Sequence, residues 1–257
     1  MVPLSVVIIT YNEERNIGRC LGSLQDVADE IVVVDSFSTD RTEAICREHG
    51  VRFMQHAFGG YVPQKNYALS QATHRYVLSL DADEALSDEL RDSIRQVKEH
   101  WDKDGYYFNR LTNYCGQWIR HCGWYPDRKL RLWDASKGRW AGYHIHERLE
   151  MDPGSTTGFL KGDLLHHSFH SIQQHMQTVN QFSEAGAKSL YEKGERSNTF
   201  KILVKSTAKF IRNYFLKKGF LDGYYGYLIC RISAFSTLIK YAKLKEMWKS
   251  SSAKRSA

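Results

Sequence analysis

The chain has 257 residues, 42% of them apolar, and a formal net charge of +7. That length and apolar content suit one large domain, or one domain with an appendage, and exclude bulk disorder and collagen-like repetition. The charge is lopsided: residues 1–197 hold 23 Lys and Arg against 27 Asp and Glu, whereas residues 198–257 hold 13 against 2, so a basic groove for nucleic acid is not expected.

Leu4–Thr10 is a short β-branched run, the pattern of a strand buried on both faces. Residues 12–24 place Ile17, Cys20, Leu21 and Leu24 at helical spacing. Residues 30–35 give a second strand, 39–49 a helix and 51–56 a third strand. After the Gly59-Gly60 loop, Pro63 begins a short helix. Residues 76–80 form a fourth strand ending in Asp81-Ala82-Asp83, and 87–100 a helix with Ser87 as N-cap. Strands alternating with helices of about a dozen residues predict a mostly parallel α/β sheet. Residues 105–170, rich in Trp, Tyr, Gly and His, read as an irregular region of short strands that completes a site. Residues 171–191 read as a helix, and 198–245 as helical with a break near 219–223. Residues 249–257 look frayed. There is no internal repeat and no Pro-rich linker.

The five cysteines form no C-x-x-C pair, as expected of reduced thiols. No basic stretch followed by an apolar one precedes the first strand, so an export signal is not expected. No uncharged apolar run reaches the roughly 18 residues of a membrane span.

Ligands of an open parallel sheet bind beyond the carboxyl ends of its strands. Three polar groups fall at such ends: Thr10-Tyr11-Asn12-Glu13, Asp35, and Asp81 with Asp83. Each alone could simply cap the helix that follows; together they predict one shared edge. The segments LSVVIITYNEERNIGRCLGSL, EIVVVDSFSTDRT and QKNYALSQATHRYVLSLDADE, spanning residues 4–100, resemble the nucleotide-binding half of family 2 glycosyltransferases. That resemblance implies a GT-A fold, a mostly parallel sheet flanked by helices. Neither a G-x-G-x-x-G fingerprint nor a Walker A loop is present.

The resemblance implies roles for matching positions. Thr10, Tyr11 and Glu13 would line a uracil and ribose pocket, and Asp35 would accept a hydrogen bond from the base. Lys65 and its neighbour Asn66 would lie near the donor. Asp81-Ala82-Asp83 looks like the D-x-D motif, with Asp83 on the metal and Asp81 on the ribose or a metal-bound water. A divalent cation, Mg²⁺ or Mn²⁺, would spread the charge of a departing diphosphate. Zn²⁺ is not expected, since the His and Cys residues lack tetrahedral spacing.

YYFNRLTNYCGQWIRHCGWYPDRKLRLWDASKGRWAGYHIHERLE and LKGDLLHHSFHS are similar to bacterial lipopolysaccharide-core β-glucosyltransferases. Displacement with inversion needs a base for the acceptor hydroxyl, and Glu147, in a His146-Glu147 pair, is the candidate. The alternative for Glu147 is a surface pair with Arg148 or Arg139. Asp127 is the rival carboxylate, or an orienting group for Arg128 or Arg131. Trp118, Trp124 and Trp140 either stack on sugar faces or sit in the core. Arg120, Arg128 and Arg131 either engage acceptor phosphates or are solvated. His166 or His167 is a further candidate for the diphosphate or metal.

In the last sixty residues, Phe200, Leu203, Val204, Phe210, Ile211 and Tyr214 fall on one helical face, and Lys201, Lys205, Lys209 and Arg212 on another. This is the pattern of a helix lying on an anionic membrane surface or of an amphipathic helix packed on a domain. The expectation is a catalytic domain over 1–197, with a nucleotide-sugar half over 1–100 and an acceptor half over 101–197, followed by a basic membrane-associating extension over 198–257. The protein is expected in the cytoplasm, peripheral on the inner face of the membrane. It would carry a hexose, glucose by the resemblance, from a UDP-sugar to a lipid-linked acceptor of the lipopolysaccharide inner core. The alternatives are a polyprenyl-phosphate glycosyltransferase of the same fold and a non-catalytic membrane protein that binds nucleotide sugars.

Overall fold

The computed structural model describes residues 1–142 and 147–255. The chain divides into two compact units, one comprising Met1–Leu111 with Asp127–His167, the other Thr112–Pro126 with Ser168 onward. This division differs from the expected boundary at residue 197: the helix after Ser171 groups with the C-terminal helices.

The first unit is an α/β sandwich. Its strands in chain order are β1 (Leu4–Thr10), β2 (Glu30–Asp35), β3 (Arg52–Gln55), β4 (Tyr76–Asp81), β5 (Glu84–Leu86), β6 (Gly105–Tyr114, here as far as Leu111), β8 (Asp127–Asp134) and β11 (Thr157–Phe169, here as far as His167). They line up in the order β3-β2-β1-β4-β8-β6-β11-β5. The pairings among β1 to β4 are parallel, while β8 runs antiparallel to β4 and β6, and β11 to β5. A small antiparallel ribbon joins β9 (Gly138–Ala141) to β10 (Arg148–Met151). The middle of the chain is more regular than its composition suggested: β6 has 10 residues and β11 has 13. Tyr106, Phe108, Leu111 and Tyr114 of β6 and Leu160 and Leu164 of β11 are the buried side chains that hold these strands.

Alternation along β1 feeds two cores. Leu4, Val6 and Ile8 pack with Ile17, Cys20 and Leu21 of α1 (Ile17–Gly22) and with Leu90 and Ile94 of α4 (Asp88–Glu99). Val7 points the other way, to Val32, Val34, Trp133, Trp140 and Ala68 of α3 (Tyr61–Ser70). Each fully buried aliphatic side chain contributes about 1.5–3 kcal/mol. α4 begins as expected: Ser87 Oγ accepts from Leu90 N at 3.3 Å, and Asp88 and Glu89 face the positive end of the helix dipole. The first two helices start later than their apolar spacing predicts, α1 at Ile17 and α2 (Thr42–Glu48) at Thr42. The residues before each are spent on the turns at the sheet edge. Gly162 of β11 has φ +90°, and a Cβ there would lie 2.2 Å from Leu90 N, so only glycine fits against the start of α4.

In the second unit, β7 (Gln117–Ile119) pairs antiparallel with the last residues of β6, Thr112–Tyr114. Three helices follow: α5 (Ile172–Glu192), α6 (Thr199–Ile211) and α7 (Gly223–Arg255). The predicted break is present as a π-turn over Arg212–Leu216 and a 3₁₀ turn over Gly219–Asp222. Helix α7 continues past residue 249 as far as Arg255. Tyr114, Ile119, Cys122, Ile229 and Cys230 form the core, joined by Trp124, Phe169, Phe210 and Tyr214.

Candidate active site

The register of the parallel strands assembles the site. Thr10 is paired with Asp35 across β1 and β2, and Ile9 with Asp81 across β1 and β4. The carboxyl ends predicted to share an edge therefore do so. The loops beyond them are braced together. Asn12, at φ +54°, donates its N–H to Ser38 Oγ at 2.7 Å, and its Oδ1 accepts from Thr39 N at 2.8 Å. Glu13 N donates to Thr42 Oγ1 at 2.8 Å, and Glu14 N to Asp40 Oδ2 at 3.0 Å. Asn tolerates the left-handed conformation and offers a carbonyl oxygen at once.

Asp35 is fully buried and accepts from both the N–H (2.7 Å) and the hydroxyl of Ser38. Thr10 is buried, and its Oγ1 has no hydrogen-bond partner among the described residues. Tyr11 stands exposed beside it. Burial pushes the Glu13 carboxyl up to about 7, against the Asn16 hydrogen bond, with Asp83 and Asp40 adding to the rise.

Below this rim lies a buried ionic network. Lys65, on α3 and 1% exposed, places Nζ 2.9 Å from Asp81 Oδ1 and 3.5 Å from Glu147 Oε1. Arg131, on β8, donates through Nη2 to Asp81 Oδ2 at 2.8 Å and to Glu84 Oε1 at 3.1 Å. Burial alone would raise the Asp81 carboxyl, but the charges of Lys65 and Arg131 outweigh it and hold the pKa far below the ordinary range. Glu84, fully buried, also accepts from Asp81 N at 3.0 Å and pairs with Arg110 at 3.4 Å. Trp140 closes the network, with Lys65 Nζ 4.4 Å and Arg131 Cζ 5.1 Å from its ring centroid. The Trp140 indole N–H and Arg131 Nε and Nη1 have no hydrogen-bond partner among the described residues. Such buried donors are normally satisfied by water or a ligand.

Asp83 pairs with His166 Nε2 at 3.2 Å, and its carbonyl accepts from His167 N at 2.9 Å. Burial acts to raise Asp83, but His166 outweighs it and the pKa is lowered. Among the described residues no three or more His, Cys, Asp or Glu converge on one metal position. The oxygens of Asp81 are taken up by Lys65 and Arg131, whereas Asp83 pairs with His166. The donor set still fits a cation: two donors suit Mg²⁺ or Mn²⁺ when phosphate oxygens complete the shell.

Several expected roles shift. Asn66 spends both ends of its amide on the Trp140 backbone, Nδ2 to O at 2.9 Å and Oδ1 from N at 3.1 Å, so it positions β9. Asp127 pairs with Arg110 at 2.9 Å and Lys129 at 3.0 Å, not with Arg128 or Arg131. Arg131 is buried under Asp81, and Arg128 lies over the Phe159 ring. Trp140 is buried beneath the two cations, a wall of the network instead of an open sugar platform. Arg148 pairs with Glu150, which leaves Glu147 to Lys65. Arg120 and Trp124 belong to the second unit: Arg120 lies over Tyr125, and Trp124 packs on Tyr114 and Phe169. Trp118 is there too, paired with Asn113 in the ladder of β7. His146 lies outside the described residues. Glu84 and Arg110 escaped the sequence reading. Glu84 follows the second Asp of the motif directly, but nothing in its spacing announces full burial.

Comparison with known proteins bears on this edge. The family model described as "Glycosyl transferase family 2" matches residues 5–153. An uncharacterised glycosyltransferase of Rickettsia typhi is 30% identical, with 96% of this chain and 88% of that protein covered. The lipopolysaccharide core biosynthesis glycosyltransferase LpsC of Rhizobium meliloti is 30% identical over 95% of this chain and 92% of its own length. The crystal structure of Staphylococcus aureus TarS 1–349 in complex with UDP-GlcNAc superposes with a TM-score of 0.46 at 17% identity, covering 97% of this chain and 92% of that one.

Proposed function

The chain belongs to glycosyl transferase family 2, a family of sugar-transferring enzymes with the GT-A fold, and on that premise we propose that it moves a hexose, glucose first among them, from a UDP-sugar to a lipid-linked acceptor of the lipopolysaccharide inner core, with inversion. The observation that carries this reading is the convergence of Asp35, Asp81 and Glu147: the first two end in-register strands, and Lys65 links the third to the second. The name of the Rhizobium meliloti relative supports the choice of acceptor.

Thr10, Tyr11 and Glu13 line the nucleoside side of the edge, and the buried Asp35 accepts from the base. Glu147 takes the proton of the acceptor hydroxyl. That oxygen then bonds to the anomeric carbon from the face opposite the leaving group, the bond to the β-phosphate oxygen breaks, and UDP departs with the electron pair. Lys65 holds the base and Asp81 in one fixed arrangement, so no reorganisation accompanies proton transfer. Asp83 and His166 would hold a divalent cation, which when bound neutralises charge on the diphosphate.

The test is a panel of UDP-sugars offered with extracted lipid acceptors, followed by linkage analysis of the product. Glu147→Gln is expected to lower turnover by about 10²–10⁴-fold while donor affinity holds. Turnover equal to that of the unaltered protein would remove Glu147 as the base.

A further inference from the structure

The second unit carries a surface that the transfer chemistry does not use. Sequence spacing put Phe200, Leu203, Val204, Phe210, Ile211 and Tyr214 on one face of α6, and the structure splits that face. Phe210 and Tyr214 turn inward, stacked at 5.3 Å between ring centroids and packed edge-on against Tyr227 of α7. Phe200, Leu203, Val204 and Ile211 remain exposed. The exposure continues through the turn between α6 and α7, where Phe215, Leu216 (74% exposed), Phe220 and Leu221 (57% exposed) project around Lys217 and Lys218. Six large or charged side chains within seven positions, all exposed and interrupted only by the buried Gly219, with four of them apolar, are not what solvation selects.

The charge around this turn is one-sided. Residues 198–257 contain only Asp222 and Glu246 as acids. Asp222 is buried and turned inward, accepting from His121 N at 2.8 Å, Arg120 N at 3.2 Å and the His121 ring at 2.9 Å. The exposed turn therefore offers apolar side chains and Lys217, Lys218 and Arg212 with no exposed acid nearby in the chain. A second copy of this chain would bring like charges together. A surface of anionic headgroups over hydrocarbon matches both properties.

The geometry points to the α6–α7 turn, Phe215-Leu216-Lys217-Lys218-Gly219-Phe220-Leu221, as a wedge that enters the outer few ångströms of an anionic bilayer, with the exposed face of α6 lying along the lipid. No helix among the described residues is long and apolar enough to cross a membrane, and the wedge needs only a surface contact. The turn is built to keep its shape during insertion. A Cβ on Gly226 would lie 2.0 Å from Gly219 O, and one on Gly219 would lie 2.7 Å from Cys230 Sγ. The base of the wedge is thus locked by close backbone packing while its tip is bare. This deepens the reading of a lipid-linked acceptor, and rests on it only in choosing a bilayer over another apolar partner.

The full chain is mixed with vesicles of phosphatidylethanolamine and phosphatidylglycerol, or of phosphatidylcholine alone, and the bound fraction is read by co-flotation. Binding to the anionic vesicles is expected to exceed binding to the neutral ones at least tenfold. The quadruple variant Phe215→Ser, Leu216→Ser, Phe220→Ser, Leu221→Ser should lose at least tenfold while keeping its UDP affinity; Phe215 and Phe220 also pack on Tyr214, so the double variant Leu216→Ser, Leu221→Ser, which spares those contacts, should lose binding at an unchanged melting temperature. Leu216→Trp should show blue-shifted emission with anionic vesicles and quenching by brominated acyl chains. Unchanged flotation of the quadruple variant, or a Leu216→Trp signal indifferent to brominated lipid, overturns the wedge. Concentration-dependent self-association abolished by the same variant, without vesicle binding, overturns it in favour of a dimer face. UDP affinity is measured on the same samples, so failure of the wedge and failure of the transfer reading separate cleanly.

Discussion

Lys65 Nζ and Asp81 Oδ1 lie 2.9 Å apart, the lysine side chain almost wholly shielded from solvent and the aspartate at the last position of a central strand. A buried ion pair of this kind is weak evidence of stability as a pair, but losing one member leaves the other charge stranded. Lys65→Met should therefore cost about 3–5 kcal/mol, tempered by Arg131, which still neutralises Asp81. Urea unfolding would measure it. A midpoint unchanged from that of the parent protein would mean that Arg131 alone satisfies the carboxylate.

Asp83 and His166 are expected to act on the same cation. Asp83→Asn should weaken the dependence of UDP affinity on Mg²⁺ or Mn²⁺ by about tenfold, the range seen when a ligand or its support is altered. Titration calorimetry with UDP, with and without Mn²⁺, reads this directly. Cation dependence that survives both Asp83→Asn and His166→Ala would place the metal elsewhere.

Gly162 faces the first turn of α4 so closely that no side chain can be seated. Gly162→Ala combines a left-handed φ with a backbone clash, and should cost about 4 kcal/mol or prevent soluble folding. Gly154, also at positive φ but in open space, is the control: Gly154→Ala should cost about 1 kcal/mol. Equal losses at the two positions would show that conformation alone, without the approach to Leu90, sets the cost.

His175 is buried, with Nδ1 3.0 Å from the Tyr114 hydroxyl, and burial lowers its pKa from 6.5 to about 4. The unfolded chain then binds the proton more readily than the folded one. Stability from this group is complete above about pH 6.5 and declines as pH falls through 4, by about 3 kcal/mol at most. The melting temperature of the parent should drop across that window, and His175→Phe should flatten the slope. A slope identical in both proteins would assign acid sensitivity to other groups.

The alternation of strand and helix to residue 100 was legible because both faces of β1, β2 and β4 are buried, so each strand reads as an unbroken apolar run. The rim was legible for a related reason: Thr10, Asp35 and Asp81 mark where those runs stop. What the sequence hid is where long-range pairing decides. Glu84, Arg110 and Arg131 look like ordinary charges until β8 lies antiparallel beside β4, and β6 beside β8, bringing the two arginines to Glu84 under the edge. Asn66 reads as a polar neighbour of Lys65, and only the approach of β9 turns it into a backbone clamp. Phe210 and Ile211 are adjacent in α6 but about 100° apart around its axis, and the position of α7 turns one inward and leaves the other solvent-facing.

The brace between the loops after β1 and β2 couples the two segments in any change of chain length. Residues 12–14 and 38–42 hold one another atom to atom, so an insertion in either would unseat the other and displace Glu13 and Asp35 together. At the opposite end, the turn before β4 is tied in the same way, Thr73 N to Glu30 Oε2 at 2.8 Å and His74 N to Ser5 Oγ at 3.1 Å, so lengthening it would pull on β1 and β2 together. Natural or engineered variation in loop length should accordingly be purged from residues 12–14, 38–42 and 71–75 alike.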